Sequence, residues 1–297
     1  MSKSRILTTA AAVAALSLTL AACGGGGTTD PTGTAGTAGA DGTADTGTTA
    51  APGSGETLAI TVGATPVPHA QILNWIQDNL AADAGLEITV VEFTDYPFGN
   101  LALSDGEFEA NYFQHVPYFE TQVEENGYEI EHSVGIHIEP YGVYSETLTD
   151  IADLPEGGKI SVPNDPSNQA RALWLLEDAG VFTLDPSVAD PTIYDLGDNP
   201  KNIELVELDA AQLATTLADV DASVINGNYA LDAGLIPTQD AIVLESGEDN
   251  PYANIVAWRA GEGSEPAVEK LVELLTSEEV RAYIEETWPN GEVIPAF

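Results

Sequence analysis

The sequence predicts an α/β protein whose folded part is two lobes with a ligand cleft between them. Three observations carry that expectation. Short β-branched runs alternate with helical stretches from residue 56 to the C-terminus. The repeated strand–helix–strand order argues for sheets covered on both faces. The alternation also restarts near Ser145, so there are two such units, and ligands of open α/β sheets sit at strand ends.

The elements follow in order. Residues 58–62 read as a strand, and 67–84 as a helix with Ile72, Leu73, Ile76 and Leu80 on one face, ended by Gly85. Strands are expected at 87–93 and 108–113, then a helix at 116–125 that stops at Gly127, then extended chain over 130–144. In the second unit, strands at 159–162, 203–208 and 222–225 alternate with helices at 166–179 and 210–218. Strands at 241–244 and 254–258 and one or two acidic helices over 266–288 complete the chain. The expected segments are 56–144 for lobe 1, 145–239 for lobe 2, and 240–297 returning to lobe 1.

Charge narrows the function. The 297 residues hold 48 acids and 8 bases, a net charge of −40, and 45 of the acids lie beyond residue 55 against six bases. Nucleic acid is excluded as a partner, because binding it needs clustered cations that release counterions. One cysteine excludes a disulfide-built domain. The 43% hydrophobic content, with four Trp, excludes disorder throughout. The acids read as a solvated surface suited to high salt or crowding. Against that background the cations Lys159, Arg171, Lys201, Arg259, Lys270 and Arg281 each stand out.

The first 22 residues read as an export signal. Lys3 and Arg5 precede an apolar run, 6–20, too short to span a bilayer comfortably. Leu20-Ala21-Ala22-Cys23 resembles a bacterial lipobox, whose cysteine is lipidated and becomes the first mature residue. Such an anchor carries at least two acyl chains, enough for stable attachment. Residues 24–55 contain no Val, Leu, Ile, Met or aromatic residue, so nothing offsets the entropy of ordering them. Segment 23–55 is therefore a lipidated Cys and a flexible tether about 30 Å in root-mean-square span. Neither its four glycines nor Gly157-Gly158-Lys159 has the spacing of a phosphate loop.

Two stretches could carry chemistry. In Pro163-Asn164-Asp165-Pro166-Ser167-Asn168-Gln169-Ala170-Arg171, Asp165 can cap a helix and Pro166 can occupy its first turn. Arg171 then sits near the positive end of the dipole, where a cation is least welcome unless an anion arrives. Asn168, three residues earlier, shares its face. A salt bridge from Arg171 to a protein acid is the competing reading. In the strand before Tyr118, Asn111, Phe113 and His115 share one face, and Phe113, His115 and Tyr118 form either a pocket or core. Asn226, Asn228 and Asn254 stand beside apolar strands as turn formers or as amides near a cleft.

These residues carry a resemblance. The stretches 62–69, 111–118, 139–145, 163–173, 224–230 and 250–254 resemble the methionine-binding lipoproteins of ABC importers, the NlpA/MetQ type, over roughly 56–297 and with the lipobox. The resemblance implies a type II periplasmic-binding-protein fold and L-methionine as ligand. It implies that Tyr96, Phe113, His115 and Tyr118 surround the thioether side chain. It further implies that Arg171 meets the carboxylate with Asn168 beside it, and that Asn226 and Asn254 hold the amino end. Tyr141 stands where the family usually has Met after Glu-Pro, and is expected to be a packing change. The implied partners are an ABC permease, its ATPase and the membrane, with the protein lipid-anchored on the extracytoplasmic face. D-methionine or a methionine-containing dipeptide is the alternative ligand.

Other classes fit less well. There is no Gly-x-Ser-x-Gly elbow and no thiol beyond Cys23, although a secreted hydrolase with a carboxylate pair is not excluded by spacing. No metal is expected, because His69, His115, His132 and His137 lack ligand spacing. No cofactor and no catalysis are expected.

Overall fold

The computed structural model describes residues 57–261 and 265–297. The expected signal, Cys23 and the tether lie outside the described residues. Strand β1 (Leu58–Ala64) leads into a helical run, α1 (residues 66–84), with π-type stretches at Pro66–Ala70 and Gln77–Ala81 around a regular turn at Gln71–Ile76. Ile72, Leu73 and Ile76 are fully buried, as their helical spacing requires. Gly85 ends the run at φ 69, a left-handed conformation that costs glycine nothing.

After β2 (Leu86–Glu92) comes α2 (Tyr96–Asp105), which the sequence reading did not expect. Pro97 and Gly99 look like breakers. Yet Pro97 lies in the first turn, where its missing N–H is not needed. Gly99 is there for space: a Cβ would stand 2.6 Å from the Phe113 ring. Strand β3 (Ala110–His115) passes directly into α3 (Val116–Asn126).

The expected extended stretch 130–144 is three short strands, β4 (Ile130–His132), β5 (His137–Ile138) and β6 (Gly142–Tyr144). Next come β7 (Lys159–Pro163), α4 (Pro166–Asp178), β8 (Glu204–Leu208) and α5 (Ala210–Leu213). Helix α5 is shorter than expected. The Thr215 and Thr216 hydroxyls both bond back to the Gln212 carbonyl, competing with the helical pattern. Then β9 (Ala222–Ile225), α6 (Gly227–Asp232), α7 (Pro237–Asp240) and β10 (Val243–Leu244) follow. The chain returns through β11 (Asn254–Arg259), α8 (Glu265–Leu275), α9 (Glu278–Thr287) and β12 (Ile294–Pro295).

These strands build two sheets. The first has the order β12-β5-β11-β3-β1-β2, with β4 also on β11; the second is β10-β6-β9-β7-β8. Parallel pairing joins β1 to β2 and β3, and β7 to β8 and β9. The return strand β11 runs antiparallel to β3. The expected boundaries at 144 and 239 need correction in one respect: β6 and β10 belong to the second sheet. The chain therefore changes sheets between Ile138 and Gly142, and again between Leu244 and Asn254. Hydrogen-bond pairing, invisible in a run of β-branched residues, decides this.

One buried cluster lies on the first sheet, with Val62, Ile72, Tyr112 and Leu271, and another on the second, with Val162, Leu173 and Val224. A third cluster mixes Phe113 and Ile255 of the first sheet with Ala210, Ile225 and Tyr229 of the second-sheet segment. The side chains discussed next stand beside this shared core.

Candidate ligand-binding site

A cavity is lined by Tyr96, Phe113, His115, Tyr118, Asn168, Arg171, Asn226 and Asn254, all eight residues singled out in the sequence, together with Gln114, Glu139, Gly227 and Asn228.

One wall is aromatic. Tyr96 lies 5.7 Å from both Phe113 and Tyr118 by ring centroids, and Phe93 backs Phe113 at 5.1 Å. The strand alternation places Phe113 and His115 toward the cavity and Tyr112 into the first-sheet core. A buried amide trio fastens the wall: Asn100 and Gln114 exchange hydrogen bonds at 2.7 Å, and Asn111 donates to Asn100 at 2.9 Å. Asn111 thus braces the site without lining it.

His115 joins the two halves. Its Nδ1 accepts the Tyr118 backbone N–H at 3.1 Å, so the proton is on Nε2, which donates to Asn168 Oδ1 at 3.1 Å. Burial, reinforced by the Arg171 charge, lowers its pKa to about 3, so the ring is neutral. Asn168 Oδ1 also accepts from Asn226 Nδ2 at 2.8 Å, and Asn168 Nδ2 donates to Asp165 at 2.9 Å. Asp165 caps α4 as the sequence predicts, accepting the Asn168 N–H at 3.0 Å.

Arg171 resolves into both readings offered by the sequence. Its Nε donates to Glu245 Oε1 at 2.9 Å and its Nη2 to Glu245 Oε2, a bidentate pair, while Nη2 also donates to the Glu139 carbonyl at 3.1 Å. The protein's own carboxylate thus occupies one edge of the guanidinium. Nη1 makes no hydrogen bond to the described residues, and Arg171 lines the cavity. Rings flank the guanidinium, Tyr252 at 4.1 Å and Tyr141 at 4.7 Å. Tyr141 is therefore more than the packing change expected: its hydroxyl also donates to Asn226 Oδ1 at 3.4 Å.

Two other cations serve the fold. Lys201 donates to the Leu154 carbonyl at 2.9 Å, and Arg259 donates to the Leu103 and Phe108 carbonyls at 2.6 Å.

Sequence spacing missed one cluster. His69, His137 and Glu139, all buried, bring their ligand-type atoms within 4.8 Å of one another. His137 and Glu139 lie two residues apart, but His69 comes from α1, so no local spacing reveals the trio. His137 Nε2 stands 2.8 Å and His69 Nε2 3.4 Å from Glu139 Oε1. Thr65 Oγ1 lies 2.7 Å from His69 Nδ1, and the Tyr112 hydroxyl meets His137 Nδ1. His69 Nε2 also reaches Asn254 Oδ1 at 3.0 Å. With acceptors on the Nε2 side, both rings carry their proton there and take hydroxyl protons at Nδ1. Burial lowers His69 to about 4 and His137 to about 3, so both are neutral. The same burial raises the Glu139 carboxyl, offset in part by His69 and by the Asn228 backbone N–H.

Two α/β sheets flanking a cavity with one aromatic and one polar wall define a two-lobed substrate-binding protein of the type II periplasmic fold. The chain belongs to the NlpA lipoprotein family, whose model matches residues 60–297. It is 40% identical over 241 residues to the methionine-binding lipoprotein MetQ of Bacillus subtilis, covering 80% of this chain and 87% of that one. It is 35% identical over 237 residues to the D-methionine-binding lipoprotein MetQ of Escherichia coli K12, covering 79% and 87%. Among solved structures, a nutrient-binding protein from Burkholderia cenocepacia bound to methionine superposes with a TM-score of 0.75 at 44% identity, covering 80% of this chain and 100% of that one.

Proposed function

We propose that the chain is a membrane-tethered receptor that holds L-methionine in this cavity and hands it, unchanged, to an ABC permease driven by its ATPase. The carrying observation is the cavity's division. Phe113, Tyr96 and Tyr118 offer ring faces and edges suited to a thioether, worth about 0.3–1.5 kcal/mol per sulfur–aromatic contact. Arg171 presents Nη1 for a carboxylate, its other edge held by Glu245. The Burkholderia cenocepacia protein bound to methionine supports this ligand. Cys23 supplies the anchor, and the tether lets the receptor meet its permease from the extracytoplasmic face.

Calorimetry of the full chain in detergent against L-methionine, D-methionine, Gly-Met and norleucine tests the reading. L-methionine is expected to bind most tightly. Norleucine, which keeps the shape and loses the sulfur, should bind up to about tenfold more weakly. The name of the Escherichia coli relative makes D-methionine the second reading, and tighter binding of the D-enantiomer would install it. Cys23→Ser should release the protein from membranes, and long incubation should return intact methionine.

A further inference from the structure

The groups that hold Arg171 share a location. Among the described residues, all of them lie in the two connections by which the chain changes sheets, Ile138 to Gly142 and Leu244 to Asn254. The first connection supplies the Glu139 carbonyl and the Tyr141 ring. The second supplies the Glu245 carboxylate and the Tyr252 ring. A two-sheet protein that closes on a ligand must bend at the segments joining its sheets. Arg171 therefore lines the cavity with one edge and grips both bending segments with the rest of its surface.

Glu245 joins the two connections to each other. Its Oε2 accepts the Tyr141 backbone N–H at 3.2 Å, and its own backbone N–H donates to the Tyr141 carbonyl at 2.8 Å. Asn250 Nδ2 donates to the same Oε2 at 2.8 Å, and Asn250 Oδ1 accepts the Tyr252 backbone N–H at 2.9 Å. Glu245, Asn250, Tyr141 and Tyr252 all stand outside the cavity lining. An acid needed only to neutralise Arg171 would require none of these further bonds. Its bidentate grip fixes the plane of the guanidinium, and flanking rings on both connections constrain that plane again.

We propose that Glu245 is a positioning residue that pins Arg171 to both connections, making the guanidinium the point where carboxylate recognition is coupled to closure of the two lobes. The proposal rests on reading Nη1 as the partner of the ligand carboxylate, and it goes further by naming what aims that atom. With the connections in this arrangement, Nη1 can meet a carboxylate while the ligand side chain lies on the aromatic wall. Bending either connection tilts the guanidinium plane and misaims the same atom. A ligand with a carboxylate thus binds one arrangement better, which is the differential affinity that closure requires.

The test uses the full lipidated chain in detergent, titrated with L-methionine and with L-methioninol, which keeps the ammonium and loses the carboxylate. Wild type should prefer L-methionine by at least about 30-fold, and Glu245→Gln should reduce that preference to less than about threefold. Spin labels at Glu87→Cys and Glu204→Cys, exposed positions on the outer strands β2 and β8, report the angle between the sheets. Saturating L-methionine should narrow the distance distribution to a single peak in the wild-type background and leave it broad with Glu245→Gln. Equal losses for both ligands would assign Glu245 a structural role and overturn the proposal. So would a preserved preference, or the same narrow peak in the variant. Where Glu245→Gln fails to fold, Asn250→Ala removes one of the bonds to Glu245 and keeps the ion pair. It should reduce the preference by more than about threefold, and an unchanged preference would overturn the proposal. If wild type binds both ligands alike, the carboxylate reading of Arg171 falls and this proposal with it. If it binds a different α-amino acid, the same comparison with that acid and its amino alcohol decides the role of Glu245, and only the methionine reading falls.

Discussion

The two walls of the cavity are built on opposite plans. The aromatic wall comes from a single stretch, Tyr96 to Tyr118, and its rings rest mainly on one another. The polar wall draws Glu139, Asn168 and Arg171, Asn226 and Asn254 from distant parts of the chain, each held by a partner elsewhere. Apolar recognition is non-directional and can be assembled locally. Polar recognition is directional, and each buried donor or acceptor needs its own partner. Changes in the polar wall should therefore spread, while changes in the aromatic wall should stay confined to packing and side-chain choice.

Arg171→Ala tests this most severely. Methionine binding should fall by about 2–5 kcal/mol, read by calorimetry. Stability should fall as well, by about 3–5 kcal/mol in urea unfolding, because Glu245 loses its pair. Combining Arg171→Met with Glu245→Leu should restore stability and leave binding lost. A single variant that folds normally and binds normally would remove Arg171 from both roles.

Phe113→Ala should cost about 3–5 kcal/mol of stability by leaving a void between Phe93, Tyr96 and Gly99. Its signature in binding is the ratio of methionine to norleucine affinity, which should collapse toward one. A preserved ratio would place the sulfur away from this ring.

Asn168→Leu should cost about 1–3 kcal/mol in urea unfolding, because His115 Nε2 and Asn226 Nδ2 lose their shared acceptor. If the walls were independent, Asn168→Leu and Phe113→Ala would add. Coupling through His115 predicts that they do not.

The smallest effect concerns pH. His137 binds a proton in the unfolded chain as pH falls below 6.5, whereas the folded chain keeps it neutral down to about 3. The unfolded state thus binds more protons, so this contribution is fully present above pH 6.5 and is lost progressively as pH falls. Between pH 6.5 and 5, His137→Gln should flatten the stability profile by up to about 1.4 kcal/mol per pH unit relative to wild type. An unchanged slope would mean that the ring is charged in the folded protein.

Legibility in the sequence followed the same division. The Asp165 cap, Pro166 and the strand before it could be read because each acts on neighbours within a few residues. Helix α2 could not, since Pro97 and Gly99 near its start read as breakers. Gly99 and Gly227 are there because Phe113 and Glu139 press against their Cα atoms, a requirement set by residues far along the chain. The signal for Glu139 was present but weak: an acid between apolar residues, Ile138 and Pro140, in a chain crowded with acids.

The sequence by itself determined the α/β alternation, the caps and stops of the main helices, and the residue types of both walls. These depend on local periodicity and short-range hydrogen bonding. Its family motifs also named eight cavity residues that composition alone would have left among turn formers and core. Only the tertiary structure decided which sheet β6 and β10 join, and that Arg171 shares its charge with Glu245. It alone gathered His69, His137 and Glu139 into one cluster. The physical reason is range. Apart from the His137–Glu139 contact, those outcomes join groups separated by tens to hundreds of residues, chosen by which partner satisfies a buried polar group.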